Sequence, residues 1–106
     1  MNNITVLLVK PKRKPEVVEI EDTLESLQKM VGGYIEVVYP FDDPVGLIMN
    51  EEGKLLGLTP NRALKDNDGR TYDIIFGDFL VTGLTEENFG SLSDELIEKY
   101  TKFFYF

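Results

Sequence analysis

Apolar and polar positions fall along this chain in short blocks, each with its own period. Ile4 to Val9 is a run of aliphatic and β-branched side chains and reads as a buried strand. Lys10-Pro11-Lys12-Arg13-Lys14-Pro15 interrupts it with two prolines and four cations, the composition of an exposed loop. Glu16 to Ile20 resumes as a strand, so the two form a hairpin. Asp22-Thr23-Leu24-Glu25 has the shape of a capping box, in which a short acceptor meets a free amide and a glutamate reaches back. Leu24, Leu27 and Val31 then share one helical face, with Met30 beside them. Gly32-Gly33 ends that helix, because glycine tolerates the left-handed cap conformation.

The second half is punctuated more densely. Tyr34 to Tyr39 reads as a strand, Pro40-Phe41-Asp42-Asp43-Pro44 as a turn, and Val45 to Met49 as a strand. Asn50-Glu51-Glu52-Gly53 is a tight turn from which Lys54 to Leu58 returns as a strand. Thr59-Pro60 resembles a helix start, a hydroxyl cap with proline in the first turn, opening a short turn over Asn61 to Leu64. Tyr72 to Val81 holds one or two strands, broken near Gly77. Thr85 to Asn88 is expected as a single helical turn. Ser93-Asp94-Glu95 starts a last helix that docks through Leu96, Tyr100, Phe103 and Phe104. The order predicts an α+β domain: a mostly antiparallel sheet of five to six strands with two main helices packed on it.

Composition bounds what such a domain can be. Its 106 residues suit a single domain over 1–106, and 42% hydrophobic content is enough for a core and too much for general disorder. No apolar run approaches the roughly 18 residues of a membrane span, and the first residues lack the pattern of a signal peptide. The expectation is a protein of the cytoplasm that meets no membrane. The net charge of −8 is unevenly spread. Four of the 11 basic residues sit in the Lys10–Lys14 loop, whereas the chain from Pro15 onward holds the other 7 and all 19 acidic residues, a net of −12. Such a body repels nucleic-acid phosphate, so no direct nucleic-acid binding is expected. It could meet a basic protein surface or imitate nucleic acid.

The residues that are missing matter as much. Without histidine or cysteine the common zinc sites and the Ser-His-Asp or Cys-His nucleophile pairs cannot form. No phosphate-binding loop motif or dinucleotide fingerprint is present. Asp66-Asn67-Asp68-Gly69 invites comparison with a calcium loop, but that register puts Leu64 and Ile75 where oxygen ligands belong, so no metal and no cofactor is expected. Carboxylates alone leave a narrow route to an enzyme, with Asp42 and Asp43 the best placed; a non-catalytic protein is expected. As a ligand site, a helix start at Asn61 with the forked donor of Arg62 suits a small anion, with Tyr39, Phe41, Asp42 and Asp43 nearby. The bland alternative for Arg62 is a salt bridge to an acidic neighbour. As a partner surface, Tyr100, Phe103, Phe104, Tyr105 and Phe106 concentrate rings at the chain end, where one helical face cannot bury them all; core packing of the same rings is the equal alternative.

Five segments carry a resemblance over nearly the whole chain: Gly32 to Val38, Asn50 to Lys54, Pro60 to Leu64, Gly77 to Val81 and Ser91 to Glu95. In this order they resemble the family known as domain of unknown function 3846, small proteins of bacteria, their phages and conjugative elements. The resemblance implies no activity and no catalytic positions. Its setting implies an accessory role in a bacterial cell, such as handling host defence. The expectation is therefore an interaction protein that binds, and inhibits, a host protein. A small-ligand binder holding a nucleotide-like anion, with a site at a homodimer interface, is the alternative, and a DNA-mimic inhibitor the second.

Overall fold

Two strands with nearly every residue buried, Val45–Asn50 (β4) and Phe79–Leu84 (β7), form the middle of the molecule. In the computed structural model, which describes residues 2–86 and 88–106, they lie in an antiparallel sheet of order β2-β1-β7-β4-β3. Its other members are β1 (Asn3–Val9), β2 (Glu16–Glu21) and β3 (Ile35–Val38), and the two-residue β8 (Phe89–Gly90) pairs antiparallel with the end of β7. The helices are α1 (Leu24–Val31) and α2 (Asp94–Phe103). A separate hairpin, β5 (Pro60–Lys65) and β6 (Thr71–Phe76), completes the α+β fold.

The period-2 geometry of a strand sorts the core into two layers. Leu7, Val9, Val45, Leu47, Met49, Phe79 and Val81 point to one side, where Tyr100 and Phe104 of the α2 segment and Leu64 and Ile75 of the hairpin cover them. Ile4, Val6, Leu8, Ile48 and Leu80 point to the other, against Leu27 and Val31 of α1. Coverage on both sides is why β4 and β7 show no polar alternation. β2 is covered on one side only: Ile20 is buried while Val17 and Glu19 face outward.

Local chemistry fixes the element ends. The N-cap of α1 is Thr23, whose Oγ1 accepts from Ser26 N–H at 3.1 Å, so the cap lies one residue beyond the Asp22 start of the expected box. Gly32 closes the helix at φ +79°, as its sequence position predicts. Buried Asn50 then ties helix to sheet: its Nδ2 donates to Val31 O at 3.1 Å and its Oδ1 accepts from Glu52 N–H at 2.8 Å. Of the expected apolar face of α1, Leu24 is exposed.

Two expectations fail here. Lys54 to Leu58 is a series of turns closed by Leu56 N–H to Glu52 O and Leu58 N–H to Gly53 O, and Leu55 is left 86% exposed. Among the described residues this segment pairs with no strand, and local bonds take the place of a ladder. Thr59-Pro60 opens strand β5, not a helix, because Asn61 to Lys65 finds a ladder partner in β6 across the Asp66–Gly69 turn. Proline serves a strand start as well as a helix start. The helical turn expected over Thr85 to Asn88 includes Glu87, which lies outside the described residues; on either side Thr85 N–H donates to Asn88 O at 2.8 Å, a hairpin closure.

Candidate functional site

The C-terminal segment is held to the rest of the chain at two polar anchors, and a groove opens between them. The first anchor is built on β5. Asn61 Nδ2 donates to Val9 O at 2.9 Å and to Gly77 O at 2.8 Å, joining the ends of β1 and β6. Its Oδ1 accepts from Arg62 Nη1 at 2.7 Å. Arg62 Nε and Nη2 both donate to Phe104 O, at 3.1 and 2.8 Å, and Nη2 also donates to Arg13 O at 2.6 Å. The guanidinium lies 5.2 Å from the centre of the Phe106 ring. Burial pulls its pKa below the ordinary value, but arginine starts so high that it stays charged. All three guanidinium nitrogens are thus engaged within the chain. The expected alternative, a salt bridge to a carboxylate, is replaced by carbonyl and amide oxygens.

The second anchor is built on the β3–β4 turn. Asp43 Oδ2 accepts from Lys99 Nζ at 2.6 Å and from Tyr100 Oη at 2.7 Å. The lysine bond and then the tyrosine bond hold the Asp43 carboxyl below its ordinary pKa. Burial, and after it the bond to Asp43, pushes the Tyr100 phenol well above the usual tyrosine range. Phe41 from the same turn packs against Tyr100, with ring centres 4.7 Å apart, and against Phe103 at 5.1 Å.

Between the anchors lies a groove of about 240 Å³. Leu64 and Phe104 are buried beneath it, Phe41 stands on one wall, and Tyr72 and Phe103 rim it, 58% and 59% exposed. That volume falls below the ~300 Å³ at which small-molecule pockets usually begin, and suits one or two side chains of a larger partner. A wider depression of about 620 Å³ along β2 and α1 is open and lined by Glu19, Glu21, Glu25 and Lys29 among others.

The predicted site residues are therefore divided. Arg62 and Phe41 line the groove; Asn61 is turned to main-chain carbonyls, and Asp43 is turned to α2. Tyr39 is exposed near Gly46, and Asp42 is exposed in the turn. They do not form one ligand site, and the helix start that was to hold an anion is a strand. The aromatic tail also splits: Tyr100 and Phe104 are core, whereas Phe103, Tyr105 and Phe106 are exposed. Sequence reading missed Tyr72 as a groove residue. Tyr72 sits in a strand whose exposed positions include Ile74, a pattern of apolar residues facing solvent that signals a surface awaiting cover.

Among the described residues no cluster of three or more acidic side chains converges as a metal site. No described helix is long and apolar enough to cross a membrane. A family model described as domain of unknown function (DUF3846) matches residues 4–105, so the chain belongs to that family. No curated protein and no solved structure matches it.

Proposed function

We propose that this member of the family is a non-catalytic interaction protein whose contact surface is the groove between β5 and the C-terminal segment. One observation carries the reading: the exposed rings of Tyr72 and Phe103 rim a preformed groove over buried Leu64 and Phe104, and the exposed ring of Phe106 lies against Arg62 of its lining. Exposed rings around a concavity are the composition of a protein-binding hot spot. The engagement of Arg62 inside the chain weighs against a small-anion site at that residue. In keeping with the setting that the family resemblance implies, a bacterial host protein is the first partner to test.

The test compares the native protein with a Tyr72→Ser/Phe103→Ser double variant as baits in a bacterial lysate. Tyr72 and Phe103 are more than half exposed, but Phe103 also packs on Phe41 and Phe104, so a thermal melt and circular dichroism first establish that the variant is folded at the assay temperature. A protein retained by the native bait and lost by the variant supports the reading. Equal retention by both baits, or none by either, overturns it. Sedimentation of the purified chain shows whether the same rings mediate a homodimer.

A further inference from the structure

The bulk charge of the chain suggests a basic partner, but the charged side chains that line the groove itself have the opposite sign. Its two charged lining residues, Arg62 and Lys65, are both cations. Arg62 also clasps the main chain of Arg13, which brings the Lys10–Lys14 loop to the same end of the molecule as Phe106. Lys12, Arg13 and Lys14 are exposed, and among the described residues none of the loop's four cations enters an ion pair, in a chain with 19 carboxylates to choose from. The groove also has a strand along one wall. Residues 62–65 of β5 all line it, side chains of both parities, as happens at the edge of a strand rather than over its face. Among the described residues β5 forms its ladder with β6 alone.

From this juxtaposition we infer that the groove takes an extended acidic segment of a partner protein, laid along the outer edge of β5. An added strand offers main-chain bonds to the unpaired edge, and alternate side chains give specificity. One apolar side chain fills the space over Leu64 and Phe104, between Phe41 and Tyr72. Acidic side chains farther along the segment meet Lys65 and the Lys10–Lys14 loop, and steer the encounter past the repulsion of the acidic body. The inference rests on the proposed interaction function and adds the chemistry of the partner.

The test selects binders to the full native chain from a displayed library of random peptides of about twelve residues, then measures each by fluorescence polarisation at low salt. Recovered peptides should combine an aromatic or aliphatic residue with two or more Asp or Glu. Their affinity should fall about tenfold or more for Lys12→Glu/Lys14→Glu, and the gap should narrow as salt screens the charges. It should fall likewise for Tyr72→Ser/Phe103→Ser. Methylating alternate peptide amides should abolish binding in one register and spare it in the other. Basic or uncharged peptides that depend on the rim would overturn the acidic partner and leave the interaction reading standing. Indifference to amide methylation would overturn the added strand. Recovery of no rim-dependent peptide would overturn both readings. Oligothymidylate or phosphatidylglycerol vesicles binding through the loop, with no acidic peptide recovered, would reassign the surface and overturn the inference.

Discussion

The two anchors of the C-terminal segment do the same mechanical work by different chemistry. At Asp43 a carboxylate meets an ammonium and a phenol, side chain to side chain, at the rim of the molecule. At Arg62 a fixed fork meets main-chain carbonyls and an amide oxygen, partly buried. The first anchor can be switched off by a proton and weakened by salt. The second is tied to groups that neither titrate nor move without the backbone. The groove opens between a tunable anchor and a fixed one.

The contrast is broken most visibly at the fixed anchor. Arg62→Ala should lower unfolding free energy by about 3 kcal/mol in urea titrations, because several charge-assisted bonds vanish and Phe104 O and Arg13 O lose their donors. Arg62→Lys should recover only part of it, since an ammonium cannot reproduce the fork. Asn61→Ala should cost about 2 kcal/mol, as Val9 O and Gly77 O lose a shared donor. At the other anchor, Tyr100→Phe keeps the ring and loses one hydrogen bond, for about 1 kcal/mol. A loss at Tyr100→Phe exceeding that of Arg62→Ala would reverse the ranking of the two anchors.

The pH profile sharpens the contrast, with a smaller effect. Asp43 has a lowered pKa in the fold, so its contribution is complete at neutral pH and is lost as pH falls through and below the ordinary carboxylate range near ~4. Tyr100 has a raised pKa, so its contribution is complete below the ordinary phenol value of about 10 and is lost as pH rises beyond it. Stability measured against pH should show a shallower acid loss in Asp43→Asn than in the native chain, and a shallower alkaline loss in Tyr100→Phe. The penalty of Arg62→Ala should stay constant from about pH 7 to about pH 9, where neither arginine nor its oxygen acceptors titrate. A penalty that varied across that range would show that the fixed anchor is linked to a titrating group.

The parts of the fold that were legible in the sequence are those whose partners are near or whose pattern is unambiguous. β1, β4 and both helices announce themselves by period and cap, and the break at Gly77 by a glycine that takes φ +85°. The β5–β6 hairpin was half hidden because Thr59-Pro60 signals a start without saying of what. The candidate site was harder. Arg62 bonds to oxygens 42 and 49 residues away, and both belong to the main chain, which every residue carries. No side-chain type in the sequence marks such an acceptor. Phe103 and Phe104 are adjacent and chemically alike, yet one is exposed and the other buried; only the seat beside Phe79, ring centres 5.3 Å apart, separates them.

The sheet order bears on how the chain comes off the ribosome. β1 is made before its neighbour β7, and β7 must enter between β1 and β4, so the centre of the sheet cannot close until residue 84 is free. The carbonyl that Arg62 grips belongs to Phe104, still later in the order of synthesis. At a rate of about 5–20 residues per second, β1, already able to pair with β2, waits several seconds for β7. The clasp at Phe104 is therefore among the last contacts to form on a growing chain. A nascent chain halted before it would have its central strand pairs and a C-terminal helix not yet locked in place.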